Sequence, residues 1–327
     1  MALVGIIINP MAGRDIRRLV AQADVISYAE KVQTLLRIAA GCQALTSVQV
    51  GVIDDRAGLA RQAVQQAGAS ERYELFSQGE EEGGEHETLT AIHYLQRAGA
   101  GAIVVVGGDG TQRLAAQAHP TVPILPVAGG TNNASTWSGD QTIAGMAAAA
   151  VAAAGVGFHP DIGLRMKIIH AHQAGRAEEI AVMDMAWVES TQALGQAVWD
   201  TQRIRRVLLA SADPIRPGLS HIGGLLAPVA GEEDRAVQLS FNPSDPVRQV
   251  AVVAPGLIGY YPQPQVRYIA LGEHLRWNDP DGGQLVCDGE PCKRLTGQDV
   301  LDIFVERDGP FAIDPRRALL ALAPGIF

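Results

Sequence analysis

An uninterrupted apolar run, Ala102 to Val106, stops at Gly107-Gly108 and constrains the fold more than any other stretch. A run without polar alternation is typical of a strand buried on both faces, as in parallel sheets. Glycines directly after such a strand let the backbone turn sharply and let another molecule approach the main chain. A helical pattern begins at Thr111, and the first turn of a helix can hold an anion. The stretch therefore predicts a strand, a phosphate-binding loop and a helix.

Asp109 lies inside this predicted loop. Its carboxylate would stand beside a bound phosphate, where a second negative charge is unfavourable. Binding of a metal ion or abstraction of a proton would justify that charge. Asp109 is therefore a candidate for the chemistry of the site.

The first 155 residues alternate apolar strands with helical patterns. This alternation predicts an α/β domain with a doubly wound, Rossmann-like parallel sheet. The predicted strands are 3–8, 48–53, 73–76, 102–106 and 123–127, and the predicted helices are 15–40, 57–67, 87–98 and 111–118.

Residues 156–310 have a different pattern, in which apolar stretches follow one another across turn-rich connectors. The predicted strands are 181–188, 206–211, 236–241, 249–254, 266–271, 284–287 and 300–305, with one helix near 191–200. Strands without intervening helices predict an antiparallel β-sandwich as the second domain. We expect the last segment, 311–327, to pack back on the first domain.

Composition and charge exclude several classes of function. Of 327 residues, 47% are apolar and 19% are charged, and the net charge of −9 argues against binding of nucleic acid or anionic membranes. Three cysteines are too few for a disulfide framework, which indicates a reducing compartment. Cys287 and Cys292 lack the further ligands that a zinc site needs. The apolar start has no basic region before it and predicts a first strand rather than a signal peptide. We expect a cytoplasmic homo-oligomer without stable membrane association.

Three loops share a pattern of Gly and Asn residues directly after a strand. They are Asn9-Pro10-Met11-Ala12-Gly13, Gly107-Gly108-Asp109-Gly110-Thr111 and Ala128-Gly129-Gly130-Thr131-Asn132-Asn133. Ligands of open parallel sheets bind at the carboxyl ends of the strands, so we expect these loops to form one pocket. The pattern is neither a P-loop nor the dinucleotide fingerprint. The histidines show no partner set typical of a metal or hydrolase site, and we expect them to be scattered.

These blocks, followed by Asp288-Gly289-Glu290, resemble the superfamily of NAD kinases, diacylglycerol kinases and sphingosine kinases along nearly the whole chain. Within it, segments 9–19 and 218–224 are similar to the ATP-NAD kinase-like proteins associated with acetoin catabolism. The resemblance implies an N-terminal α/β domain, a C-terminal β-sandwich and ATP bound between them. It also implies that ATP is used with Mg²⁺ to phosphorylate a hydroxyl group.

The resemblance further implies roles for individual residues. The phosphates would be lined by Gly107, Gly108, Gly110 and Thr111, and the nucleotide would be held by Asn9, Gly130, Thr131, Asn132 and Asn133. Asp109 would be the base or the electrostatic positioner for the acceptor hydroxyl. Asp288 and Glu290 would be further catalytic residues, and a purely structural polar hairpin is the alternative for this pair.

The acceptor implied by the family is a small molecule with a hydroxyl group, nominally NAD. The chain departs from NAD kinases because it contains no Asn-Glu pair and no Thr-Pro-Thr-Gly-Ser-Thr-Ala-Tyr block, and it has Ala134 where lipid kinases have an aspartate. Two alternatives stay open. One is a lipid kinase of the diacylglycerol or sphingosine type, and the other is a nucleotide-binding sensor without turnover that is linked to acetoin catabolism.

Overall fold

The computed structural model describes residues 1–13, 26–68, 73–77, 86–130, 133–189, 201–242 and 244–326. These residues form two compact units. Unit 1 contains the described residues of 1–13, 26–165 and 310–326, and unit 2 contains those of 166–309. The chain thus leaves unit 1 after Arg165 and returns to it at Pro310.

Unit 1 contains a single sheet with helices on both faces. Its elements in chain order are β1 (Ala2–Ile8), α1 (Tyr28–Cys42), β2 (Val48–Asp54), α2 (Leu59–Gln66), β3 (Tyr73–Ser77), α3 (His86–Arg97), β4 (Ala100–Gly107), α4 (Asp109–Gln117), β5 (Ile124–Ala128), α5 (Gln141–Ala154), β6 (Gly163–Arg165), β19 (Phe311–Ile313) and α7 (Pro315–Ile326). The sheet order is β3-β2-β1-β4-β5-β19-β6, parallel except for β6, which runs antiparallel to β19.

Two hydrophobic clusters cover the two faces of this sheet. Alternate residues of β4 divide between them: Val104 belongs to the cluster with α1 and α5, whereas Val105 belongs to the cluster with α3 and α4. This explains why the strand is apolar without alternation, since both of its faces are buried. The predicted doubly wound α/β domain is confirmed.

The alanine-rich helix α5 packs closely against α1. A Cβ atom on Gly41 would lie 2.0 Å from the carbonyl oxygen of Thr142, and one on Gly145 would lie 1.9 Å from that of Ile38. Only glycine permits so close an approach of two backbones. The small residues of α5 therefore serve helix packing within unit 1.

Unit 2 contains antiparallel sheets. Its elements are β7 (Ile168–His172), β8 (Glu179–Ala181), β9 (Asp184–Val188), a 3₁₀ turn (Thr201–Arg203), β10 (Ile204–Leu209), α6 (Leu219–Leu226), β11 (Arg235–Ser240), β12 (Val247–Ala254), β13 (Leu257–Pro262), β14 (Gln265–Ala270), β15 (Leu275–Trp277), β16 (Gly283–Cys287), β17 (Glu290–Leu295) and β18 (Leu301–Glu306). The sheet orders are β14-β11-β10-β9-β16-β17, β15-β18-β7-β8 and β12-β13. The helix predicted near 191–200 lies outside the described residues.

The six-stranded and four-stranded sheets of unit 2 share one core. Trp187 and Leu285 of the larger sheet and Ile169 and Ile303 of the smaller sheet are fully buried in a common cluster. The opposite face of the larger sheet is covered by a second cluster that includes residues of α6 and of β12–β13. Unit 2 is therefore a sandwich of antiparallel sheets, as the sequence predicted.

Cys287 and Cys292 form a disulfide across the hairpin that joins β16 to β17. The cysteine count suggests a reducing compartment without disulfides, and this bond corrects that expectation. Three cysteines cannot form a network of disulfides, but two neighbouring ones suffice for a single bond. Cys42 is a free, buried thiol, and burial raises its pKa to about 12. In the described part of the chain, no helix is both long and apolar enough to cross a membrane.

Lys167 connects the start of β7 to the segment before β11. Its Nζ donates hydrogen bonds to the carbonyl oxygens of Ala230, Glu233 and Arg235 at 3.1, 3.0 and 2.8 Å. The side chain is 4% exposed, and burial lowers its pKa to about 8, an effect that neighbouring Arg307 increases.

Replacement of Lys167 by methionine is expected to destabilise unit 2 by about 2 kcal/mol, because three carbonyl groups lose their hydrogen-bond donor. The pKa is about 8 in the folded state and 10.5 for an ordinary lysine, so the unfolded chain binds more protons between these values. The contribution of Lys167 to the free energy of unfolding should therefore rise with pH through that window. Urea denaturation of both proteins across the window measures it, and a difference between them that does not change with pH would contradict the assignment.

Candidate functional site

The three Gly/Asn-rich loops begin at one edge of the unit 1 sheet. β1 pairs with β4 and β4 pairs with β5, all in parallel, so the carboxyl ends of the three strands are adjacent. We name the segments that follow them the β1 loop (9–13), the β4 loop (107–111) and the β5 loop (129–136). Ligands of open parallel sheets bind at such an edge.

Asn9 joins the β1 loop to the β4 loop. Its Nδ2 donates to Thr111 Oγ1 at 2.9 Å, and its Oδ1 accepts from the Met11 backbone N–H at 2.8 Å. The Asn9 backbone N–H donates to the carbonyl oxygen of Val106 at 3.1 Å. Asn9 and Thr111 therefore hold each other and fix the spacing of the two loops.

Asn133 shapes the β5 loop. Its Oδ1 accepts from the backbone N–H groups of Gly129 and Gly130 at 3.2 and 3.0 Å, and its Nδ2 donates to the Gly130 carbonyl at 2.7 Å. Gly129 N–H also faces the Gly107 carbonyl at 3.2 Å, which connects this loop to the β4 loop. Thr131 and Asn132, which the sequence places among the nucleotide-holding residues, lie outside the described residues.

Asp109 is the first residue of α4 and is 2% exposed. Its Oδ1 accepts from the Ser135 backbone N–H at 2.8 Å and from Ser135 Oγ at 2.6 Å, and its Oδ2 accepts from the Ala134 N–H at 3.1 Å. The carboxylate thus holds the β5 loop against the start of α4. The sequence contains no signal that identifies Ser135 as this partner.

The start of α4 has the features of an anion site. Gly108 is its N-cap and supplies no side-chain capping bond, and Gly110 and Thr111 follow in the first turn. The N–H groups of an uncapped first turn and the helix dipole both favour a bound anion. A Cβ atom on Gly107 would lie 2.4 Å from Thr111 Oγ1, so only glycine fits before this turn.

Lys31 binds the backbone of the β1 loop and was not identified from the sequence. This residue of α1 is 4% exposed, and its Nζ donates to the carbonyl oxygens of Ala12, at 2.7 Å, and Pro10. A lysine near the start of a helix is ordinarily solvated, so the sequence alone gives no reason to single it out. The bonds make Lys31 a positioning residue for the loop.

Asp288 and Glu290 occupy the hairpin between β16 and β17, in unit 2. Asp288 (φ 52°) and Gly289 (φ 79°) both adopt positive φ, as a two-residue turn of this kind requires. The Asp288 carboxylate is 2% exposed and accepts from the backbone N–H groups of Val182, Met183 and Asp184, the shortest bond being 2.8 Å from Met183. Its observed contacts are those of a positioning residue that orders the connection from β8 to β9, whereas the Glu290 side chain is exposed.

The unit 1 arrangement can bind phosphates and present a carboxylate beside them. Backbone N–H groups at the start of α4 can donate hydrogen bonds to a phosphate. The Asp109 carboxylate oxygen Oδ2 accepts a single hydrogen bond from the described residues, which comes from the Ala134 N–H. Such an arrangement suits phosphoryl transfer, which needs alignment and charge more than covalent chemistry.

Comparison with known proteins identifies both parts of the chain. Residues 4–154 match the ATP-NAD kinase N-terminal domain, and residues 167–308 match the acetoin catabolism protein X C-terminal domain. Acetoin catabolism protein X of Cupriavidus necator is 31% identical over 268 residues, which span 78% of this chain and 74% of that protein. The family resemblance found in the sequence motifs is thereby confirmed, and the chain belongs to the acetoin catabolism protein X family, with an N-terminal domain of the ATP-NAD kinase type.

Proposed function

We propose that this protein is a kinase that uses ATP and Mg²⁺ to phosphorylate a hydroxyl group of a small molecule. The observation that carries the proposal is the edge of the unit 1 sheet, where Asn9 and Thr111 connect two glycine-rich loops and Asp109 lies at the uncapped start of α4. The ATP-NAD kinase domain that covers residues 4–154 supports the same reaction class.

In this proposal, the backbone of Gly107, Gly108, Gly110 and Thr111 binds the phosphates. Asn9, Gly130, Thr131, Asn132 and Asn133 hold the nucleotide, directly or by shaping their loops. Asp109 orients the acceptor hydroxyl and accepts its proton. Asp288 acts as a positioning residue, and Glu290 contributes the charge of an exposed carboxylate.

The residues present fit a magnesium nucleotide. A Cβ atom on Gly107 would lie 2.4 Å from Thr111 Oγ1, and one on Gly129 would lie 2.8 Å from Val106 Cγ1, so both glycines let the β4 loop and the β5 loop pack closely beside the start of α4. Carboxylate oxygens such as those of Asp109 are the ligands that Mg²⁺ prefers. When bound, ATP supplies the phosphoryl group and Mg²⁺ neutralises its charge.

We propose NAD as the nominal acceptor, by analogy with the family of the N-terminal domain. The name of the Cupriavidus necator relative adds acetoin catabolism as a metabolic setting. We further propose that the protein has no nucleic-acid partner, in keeping with the net charge of −9. We also propose a cytoplasmic location, although the Cys287–Cys292 disulfide is unusual in a reducing compartment. Assembly into a homo-oligomer stays a prediction.

A nucleotide-binding sensor without turnover is the second candidate, and a specific observation favours it. The Asp109 carboxylate accepts three hydrogen bonds from the β5 loop, and the Asp288 carboxylate accepts bonds from three backbone amides. Both carboxylates therefore stabilise local structure, and a protein that binds a nucleotide without turnover would need the same stabilisation.

A lipid kinase is the third candidate. Val250 and Tyr260 are paired across β12 and β13, Ile258 lies two residues from Tyr260, and all three side chains are exposed by half or more. An apolar strip of this kind can contact a membrane surface. A lipid acceptor would require vesicles for activity, which separates it from the leading proposal.

A coupled assay of ADP release is the direct test. We expect ATP with Mg²⁺ to raise the unfolding temperature through mass action, and ADP release to increase with one acceptor from a set containing NAD, sugars, polyols, acetoin and lipid vesicles. ATP binding without release for any acceptor would favour the sensor, and release only with vesicles would favour the lipid kinase. Absence of ATP binding at millimolar concentration would remove all three.

A further inference from the structure

Three side chains of unit 2 converge at the outer face of the four-stranded sheet. His170 Nδ1 lies 2.5 Å from Glu178 Oε1, and His172 Nε2 lies 2.7 Å from the same oxygen. The candidate ligand atoms of the three residues lie within 4.8 Å of one another. The expectation that the histidines have no common partner is therefore wrong for this pair, because the sequence does not reveal that Glu178 folds back onto β7.

The strand geometry explains this convergence. Residues two apart on a strand face the same side, so His170 and His172 project together from β7. Their neighbour Ala171 points the other way, into the core, with Ile303 of β18 as its pair. The two imidazoles therefore lie on the face of the sheet that points away from the hydrophobic core, while the opposite face is packed into that core.

Phe304 and Asp308 fix the orientation of His170. Its ring stacks on Phe304 with a centroid distance of 4.9 Å and an interplanar angle of 9°, and His172 meets the same ring edge-on at 5.1 Å. His170 Nε2 lies 3.2 Å from an Asp308 carboxylate oxygen. A carboxylate on the far nitrogen of a metal-binding histidine commonly sets its tautomer and aims the near nitrogen at the ion.

We propose that His170, His172 and Glu178 form a binding site for a first-row divalent metal ion of the zinc type, with Asp308 as the carboxylate behind His170. Two imidazole nitrogens and one carboxylate are a ligand set that Zn²⁺ uses, with water in the fourth position. Mg²⁺ and Ca²⁺ prefer oxygen ligands and do not suit this set.

The distances allow the ion with small movements. A tetrahedral zinc ion places its ligand atoms about 3.3 Å apart, whereas Glu178 Oε1 now lies 2.5 and 2.7 Å from the two nitrogens. The carboxylate oxygen must therefore withdraw by roughly 1 Å, and the two nitrogens, which lie within 4.8 Å of each other, must adopt the same ligand spacing to admit the ion. The side chains of Glu178 and His172 are 41% and 49% exposed, which leaves room for this movement and a path for the ion.

The test uses the full chain with its disulfide intact and measures Zn²⁺ binding by calorimetry. We expect one ion per chain with a dissociation constant in the micromolar range or below, and no comparable binding of Mg²⁺. His172→Gln removes the imidazole ligand and Glu178→Gln replaces the charged carboxylate by a weaker, neutral amide oxygen, so each should weaken binding by about 100-fold, while Asp308→Asn should weaken it about 10- to 100-fold. Since these side chains are at the surface, circular dichroism without metal should match the unmodified protein.

His159→Gln is the matched control. His159 is 55% exposed and lies 3.5 Å from the Asp161 carboxylate, so it is a histidine–carboxylate pair without a second histidine. This variant should bind Zn²⁺ as the unmodified protein does. Co²⁺ gives a second readout, since a tetrahedral site with nitrogen and oxygen ligands absorbs in the visible without a thiolate band. Binding that is absent below about 0.1 mM, or that survives both ligand substitutions, would overturn the proposal.

Discussion

Asp109→Asn is expected to lower ATP-dependent turnover by roughly 10²- to 10⁴-fold while ATP affinity changes by less than about tenfold. The substitution keeps the shape of the side chain and removes its charge. If the amide oxygen occupies the Oδ1 position, both bonds from Ser135 persist, and only the bond from the Ala134 N–H is lost. Loss of one such bond costs about 1 kcal/mol, so the fold should be retained.

Ser135→Ala is the control that separates charge from position. This variant also removes one hydrogen bond to the Asp109 carboxylate, from Ser135 Oγ at 2.6 Å, but leaves the negative charge in place. We expect its turnover to fall by less than about tenfold, the equivalent of one ordinary hydrogen bond. Both proteins are compared by ADP release with the acceptor that the screen identifies, and by calorimetry with ATP.

The two variants distinguish the kinase from the sensor. If Asp109 only held the β5 loop, the two substitutions would have similar, small effects, since each removes one bond from the same carboxylate. A large loss confined to Asp109→Asn indicates a chemical role for the charge. Equal losses would remove Asp109 from the chemistry and favour a binding protein.

The α/β half of the fold was predictable from local pattern. Its long strands are apolar runs, as in β4, where both faces are buried, and α2, α3 and α4 alternate apolar and polar residues with a helical period. α5 was missed, because its alanine-rich sequence is buried almost continuously and shows no such period. The short strands β6 and β19 were missed because three residues are too few to show a period. The sheet order is also beyond the sequence pattern, since β19 reaches β5 from the far end of the chain.

The elements of unit 2 were less predictable, because contacts with residues far along the chain determine where its polar residues and glycines lie. β7 contains His170 and His172, whose alternation with apolar residues was not recognised as a strand. α6 contains Gly223 and Gly224, which ordinarily disfavour a helix. Here they allow close packing, since a Cβ on Gly223 would lie 2.2 Å from Leu209 Cδ1.

The candidate site shows the same division. The glycine and asparagine blocks located the three loops, because turn chemistry is local. The residues that hold those loops, Lys31 and Ser135, were missed, since their roles depend on contacts with segments far along the chain. A single predicted strand at 181–188 is in fact two, β8 and β9. The interruption lies where the Asp288 carboxylate binds the N–H groups of Val182 and Met183.

Asp288→Ala is expected to destabilise unit 2 by about 3 to 5 kcal/mol, the largest stability change that we predict. Three backbone N–H groups, of Val182, Met183 and Asp184, would lose a charged acceptor in a buried turn. Alanine would also be strained at the φ of 52° that Asp288 adopts, by roughly 1 kcal/mol. Urea denaturation followed by tryptophan fluorescence measures the loss, since Trp187 and Trp277 are buried in this unit.

Two further variants show which role each carboxylate of the hairpin has. Asp288→Asn keeps an acceptor oxygen and a side chain that tolerates positive φ, so its loss should be about half that of alanine. Glu290 is exposed at the start of β17, so Glu290→Gln should shift the unfolding midpoint far less than Asp288→Ala does. If Glu290 takes part in the reaction, Glu290→Gln should lower turnover by roughly tenfold or more, with a smaller effect on ATP affinity. A stable Glu290→Gln protein of full activity would exclude Glu290 from the reaction, and the hairpin would then have only the structural role of Asp288. An Asp288→Ala protein as stable as the unmodified one would contradict that role, because its bonds to the β8–β9 connection would then contribute nothing.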